Sequence, residues 1–240
     1  MWISLVRALA LAAFLAVVVA LGGATRARGD TPGSVSSYYV GRGDPRACPS
    51  PRCGGVWVRL VNKAAPTCGD GVTERECYVA YPDFSELRLG TLKPVKLMAL
   101  ITEGRALARG AVVRGRVEGF ADLDVLVVTE VWTASSSARA PTGVFRRLRD
   151  NGLRCITTPC FSIHAAALNS GAHVNLSRVD LAGTGAPPAE RRRALARLAT
   201  TGLMGAGRVV REPHAGPGGA GRSFAATQFY VKVAPPISPR

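Results

Sequence analysis

Along most of this chain apolar and polar residues alternate, and the period becomes helical in only two places. Val56, Val58 and Leu60 alternate with Trp57 and Arg59, the pattern of a strand with one buried face. Read this way, residues 37–42, 55–62, 76–81, 111–118 and 123–133 are strands, the last with Leu123, Val125, Val127 and Val131 on one face. Between 94 and 109, Leu97, Leu100, Ile101, Gly104 and Ala108 recur at helical spacing, which predicts a helix opening at Pro94, where a missing N–H costs nothing. A second series repeats the order. Strands are expected at 144–150, 161–168 and 174–181, a helix at 187–201, and strands at 205–211 and 224–233 on either side of a Gly-rich loop, 216–221.

Each series is built around a C-x₄-C loop, Cys48 to Cys53 and Cys155 to Cys160, and an Asn follows each loop at the same distance, Asn62 and Asn169. Arg42, Cys48, Cys53 and Asn62 match Arg149, Cys155, Cys160 and Asn169 at an offset of 107. Asp83 matches Asp180 at 97, Gly115-Arg116-Val117 matches Gly207-Arg208-Val209 at 92, and Thr129 and Trp132 match Thr227 and Tyr230 at 98. The expectation is an α+β protein of two related units, 37–134 and 143–233. Each unit is an antiparallel sheet of about five strands with one helix, disulfide-braced, and a Ser-rich linker at 135–142 joins them. Either one body or two lobes satisfies the pattern.

The ends read differently. Arg7 precedes an apolar run, 8–21, and the small residues Gly22-Gly23-Ala24 follow, so 1–24 reads as a cleaved export signal. Residues 25–36 form a polar lead-in and 234–240 a loose tail, and no later stretch is apolar enough to span a membrane. Export places the protein outside the cytoplasm, secreted or periplasmic, where six cysteines most simply make three bridges. Nearest-neighbour pairing gives Cys48 with Cys53, Cys68 with Cys77 and Cys155 with Cys160, the middle pair being an insertion peculiar to the first series.

Charge opens one further possibility. Lys and Arg number 31 against 16 Asp and Glu, a net +15, yet only Lys63, Lys93, Lys96 and Lys232 are lysines. The bias to Arg fits a GC-rich genome but does not account for the scarcity of acids. Arg146, Arg147 and Arg149, Arg191, Arg192 and Arg193, and Arg208 with Arg211 are candidates for binding an anionic polymer: lipopolysaccharide, an acidic glycan or extracellular DNA. A disulfide-held loop stiffened by Pro159 could instead meet a protein partner, as in some protease inhibitors.

Enzyme chemistry finds little support. There is no nucleophile elbow, zinc-protease motif or phosphate loop. His164 stands where the first series has Trp57 and reads as a strand residue, while His173 and His214 fall in loops without ligand spacing. The carboxylate pairs Asp122/Asp124 and Glu74/Glu76 sit at turns or strand edges, and Arg-Gly-Asp at 28–30 and 42–44 is a chance product of composition. No catalytic residue, metal or cofactor is expected, and the function read from the sequence is a non-catalytic binding or structural module.

The run 150–162, DNGLRCITTPCFS, together with Ala226-Thr227-Gln228-Phe229-Tyr230, resembles a family of exported bacterial proteins, common in myxobacteria, of uncharacterised function. The resemblance covers about 38–233. It implies export and paired Cys loops and brings no catalytic residue with it.

Overall fold

A computed structural model describes residues 36–233 apart from 88, 90, 91, 116, 118, 121 and 136–139. The export signal, most of the lead-in, the first Arg-Gly-Asp and the tail lie outside the described residues. The first half contains β1 (Ser37–Gly43), β2 (Val56–Leu60), β3 (Cys77–Val79), β4 (Pro82–Asp83), helix α1 (Leu92–Thr102), β5 (Ala106–Arg114) and β6 (Asp124–Ala134). The second contains β7 (Val144–Asp150), β8 (Ile163–Ala167), β9 (His173–Leu176), β10 (Arg178–Asp180), helix α2 (Pro188–Ala196), β11 (Leu203–Gly216) and β12 (Gly219–Lys232). All twelve strands belong to one mostly antiparallel sheet, in the order β3-β2-β1-β5-β6-β12-β11-β7-β8-β9. Two short strands join it in parallel, β4 against β6 and β10 against β12.

The helix expected at 94–109 ends seven residues early. Gly104 takes φ +70°, a conformation costly for other residues, and turns the chain into β5. Ala106, Leu107 and Ala108 lie between β1 and β6 and are all buried, so the start of this strand carries no alternation to betray it. The expected face of β6 is also corrected. Arg109 pairs with Glu130 but Gly110 pairs with Val128, so Thr129 bulges out and the side-chain order inverts. Leu126 and Val128 join the expected Val131 in the core cluster, whereas Leu123 and Val127 are only half-buried.

β12 carries the same device. Ala206 pairs with Gln228 and Gly207 with Ala226, leaving Thr227 in the bulge. Thr129 Oγ1 donates to Arg109 O at 3.2 Å and Thr227 Oγ1 to Ala206 O at 3.1 Å. Gly207 sits beside this bulge as Gly110 sits beside the first, whereas Gly115 lies just past the end of β5. The strand expected at 174–181 is two strands, because β9 pairs with β8 whereas β10 leaves it, after Ser177, for β12. The Gly-rich loop shrinks to the tight hairpin turn Pro217-Gly218, with Gly216 paired to Gly219.

Three apolar clusters fill the fold. One lies between α1 and the first half of the sheet, around Leu97, Ile101, Val56 and Leu126. A second involves Ala194 of α2, Leu148, Phe224 and Phe229. The third draws on both halves: Val40, Leu107 and Trp132 from one, Phe145, Met204 and Tyr230 from the other. On β1, Tyr39 faces the first cluster and its neighbour Val40 the third, so the two faces of one strand serve different cores.

Two asparagines tie the halves across that shared core. Asn62 (φ 58°) and Asn169 (φ 54°) are, among the described residues, the non-glycine residues with left-handed backbone, a state Asn tolerates best. Asn62 Nδ2 donates to Phe145 O at 2.7 Å and Leu168 O at 3.0 Å, and its Oδ1 accepts from Phe145 N at 2.9 Å. Asn169 returns the arrangement: Nδ2 to Tyr38 O at 2.8 Å and Val61 O at 3.0 Å, Oδ1 from Tyr38 N at 2.7 Å. The expected linker is anchored at both ends. Ser135 is buried and its N–H reaches Phe229 O, and Thr142 exchanges two bonds with Thr227.

The three disulfides pair nearest neighbours: Cys48–Cys53, Cys68–Cys77 and Cys155–Cys160. They differ in setting. Cys68 and Cys77 are core residues, whereas Cys48 and Cys155 are exposed. Such bridges place the protein's maturation outside the reducing cytoplasm. Among the described residues no helix is long and apolar enough to cross a membrane.

Candidate functional site

β1, β2 and β12 converge with the turn after α1 around a pocket of about 490 Å³. Alternation on β1 and β2 places Val40 and Arg42 beside Arg59 and Trp57, their register partners. The turn adds Glu103, Gly104 and Arg105; Ala134 and Pro141 form an apolar wall, and Gln228 and Tyr230 come from β12. Two of the cations are already answered. Arg42 meets Glu76 at 2.6 Å and Arg105 meets Glu103 at 3.3 Å. Arg59, exposed at the mouth, has no acid partner among the described residues.

Tyr230 supplies the second unanswered group. Its side chain is fully buried against Phe145, yet its hydroxyl has no hydrogen-bond partner among the described residues. Leaving a buried hydroxyl unpaired costs about 1–3 kcal/mol, so such a group marks a position that a partner improves. Burial drives its pKa far above the ordinary phenol value, against a smaller opposing pull from Arg59. The hydroxyl is thus a fixed donor at neutral pH. Gln228 also lines the pocket, but its Oε1 accepts from Ser135 Oγ and from Phe229 N at 2.8 Å.

The rim beside the pocket is rigid. Trp57 packs on Tyr78, and the Arg42 and Arg46 guanidinium groups lie 5.5 and 5.1 Å from the Trp57 ring centre. Asp44 accepts from Arg46 Nε at 2.9 Å and from Trp57 Nε1 at 3.2 Å. The Arg46 hydrogen bond, above all, holds its carboxyl down at about 2. Arg42 and Asp44 of the second Arg-Gly-Asp are therefore engaged internally.

A different cluster lines the other side of the seam between β6 and β12. Glu130 Oε2 accepts from Trp132 Nε1 at 3.1 Å, while Oε1 lies 3.2 Å from Lys232 Nζ and 3.5 Å from Arg109. The Arg147 guanidinium stacks 5.7 Å from the Trp132 ring centre. Burial pushes Glu130 upward, but the Trp132 and Lys232 contacts outweigh it and leave the carboxyl below its usual range.

The arginines singled out from the sequence fall on three elements. Arg146 and Arg147, neighbours on β7, point to opposite faces; Arg146 donates to Ala165 O at 3.2 Å, and burial lowers its pKa. Arg149 sits on the same strand as an exposed residue, Arg191, Arg192 and Arg193 lie on α2, and Arg208 and Arg211 lie exposed on β11. Arg191 and Arg192 share a shallow hollow with Leu195, and Arg211 shares another with Arg222.

Among the other candidates, His164 is on β8, 5.3 Å from the ring of His173. His173 and His214 lie in strands β9 and β11, not in loops. Asp124 is buried, accepts from Gly69 N at 2.7 Å and pairs with Arg114, and Glu76 holds Arg42. Among the described residues no three His, Cys, Asp or Glu gather as a metal site. The Cys155–Cys160 loop projects Ile156 fully into solvent, and Gly218 N holds the Thr158 carbonyl at 2.9 Å.

Arg59 and Tyr230 escaped the sequence reading as site residues. The signal lay in residue type at corresponding positions, where one series carries a different side chain from the other. Arg59 stands 107 residues before Ala166, and Tyr230 stands 98 after Trp132. No curated protein and no solved structure matches the chain. Residues 37–236 match the family described as "Domain of unknown function (DUF6748)", and the chain belongs to that family.

Proposed function

We propose that this chain is an exported, non-catalytic binding module of the cell envelope or extracellular space, built from two related units, whose ligand seat is the pocket beneath Arg59. The duplication is supported by the strand order. From either end to the seam it runs third, second, first strand, then the two strands after the helix. The reciprocal asparagines and the two threonine bulges support it further. Each unit then carries six strands, five in the main path and a short parallel one.

The observation that carries the binding reading is the coincidence, in one pocket, of a guanidinium and a buried hydroxyl that have no partner among the described residues. The test is thermal unfolding of the mature chain against a panel of small neutral and anionic compounds. At a concentration 100 times its Kd a ligand adds about 2.7 kcal/mol. At least one compound should raise the melting temperature of the wild type and leave Arg59→Glu unshifted. Equal shifts in both proteins, or none in either, would sink the reading.

Full exposure of Ile156 on a disulfide-held loop favours a second reading, a contact with a protein partner. In that case the mature chain inhibits a protease in a panel assay and Ile156→Ser does not. A panel in which neither protein inhibits anything removes it.

A further inference from the structure

We propose that the pocket seats a single carboxylate, borne by a small apolar molecule, between the Arg59 guanidinium and the Tyr230 hydroxyl. This rests on the pocket reading and on the relation between the two units. Positions 98 apart correspond across the seam, so Trp132 is the mate of Tyr230 and Glu130 the mate of Gln228. The first unit answers its donor internally, since the Trp132 N–H meets the Glu130 carboxylate, which Lys232 and Arg109 neutralise.

In the second unit the donor remains but the carboxylate is gone. Gln228 replaces the acid, and its carbonyl oxygen is spent on Ser135 and Phe229. A cation, Arg59, stands near the Tyr230 hydroxyl, and its own mate, 107 residues on, is the uncharged Ala166. One unit therefore carries a built-in carboxylate, and the other holds a donor and a cation with that place left for an outside group.

Charge sets the valence. Arg42 and Arg105 are neutralised by Glu76 and Glu103, so the pocket has one cation in excess and suits a monoanion. Two oxygens suffice for one guanidinium fork and one hydroxyl, as in a carboxylate. Val40, Ala134 and Pro141 offer apolar walls, and about 490 Å³ falls within the range of small-molecule sites.

The experiment is calorimetric titration of the mature chain with hexanoate, hexanamide and inorganic phosphate, repeated with Tyr230→Phe and Arg59→Gln. Both variants should fold, since one loses only an unpaired hydroxyl and the other an exposed side chain. Hexanoate is expected to bind at least tenfold more tightly than hexanamide or phosphate. Each variant should weaken hexanoate by about tenfold while leaving hexanamide unchanged. Hexanoate no tighter than hexanamide or phosphate, or hexanoate binding untouched by either variant, overturns the inference. If hexanoate fails while another compound still loses its stabilisation in Arg59→Glu, the carboxylate falls and the pocket reading stands. If nothing binds, both fall.

Discussion

Asn62 and Asn169 each do two things at one position: they accept a left-handed backbone and they fill three hydrogen bonds on the opposite half. Alanine at either position removes both, and the expected cost is about 2–4 kcal/mol in urea unfolding. Glycine restores only the backbone freedom, so Asn62→Gly should be milder than Asn62→Ala by about 1 kcal/mol. Equal losses would mean that the backbone state contributes nothing. Asp44 makes a prediction at acid pH. Its folded pKa, about 2, lies below the unfolded value of about 3.9, so its stabilisation is complete above pH 4 and lost as pH falls through 2. The Trp57 indole N–H resonance should titrate near pH 2; a midpoint near 4 would break the link. The two asparagines were visible in the sequence as a matched pair. Their task was not, because their partners lie 83 to 131 residues away and local pattern carries no such distance.

Elements were legible where one face was buried and one wet. β2 was found within two residues because Val56, Val58 and Leu60 are buried and alternate with the less buried Trp57 and Arg59. The start of β5 was hidden, since it is buried on both sides and Ala106, Leu107, Ala108 and Arg109 are good helix formers. The bulges were hidden too, and with them the like placing of Gly110 and Gly207 beside them. A Cβ on Gly110 would stand 2.0 Å from Val127 O, and one on Gly207 2.2 Å from Ala225 O. Gly110→Ala and Gly207→Ala should therefore each cost about 1–3 kcal/mol, read as a fall in melting temperature. The disulfides were paired correctly from spacing, but burial separates them. Replacing both Cys155 and Cys160 by Ala should cost about 2 kcal/mol of loop entropy. The same change at Cys68 and Cys77 should cost more, because it also empties part of the core. Equal losses would show that the core around Cys68 and Cys77 closes over the gap.

At the scale of the molecule, the halves meet where β6 pairs with β12 over Ala134–Tyr230, Thr133–Val231 and Trp132–Lys232. The asparagine ties and the shared core reinforce this short seam. A chain cut after Gly218 would strip β6, β10 and β11 of a neighbour at once. It should lose cooperative unfolding and aggregate, by circular dichroism and light scattering, whereas a cooperative transition would mean that the first half folds alone. The strand at the centre of the sheet is the last one in the described chain. A nascent chain crossing a membrane from its N-terminus would therefore deliver its keystone last, and for most of the passage β6 would present an open edge. Under the proposed export, a chain stalled during transit would have no finished sheet to arrest it in the channel, and an interrupted product would stay open to proteolysis until β12 arrives.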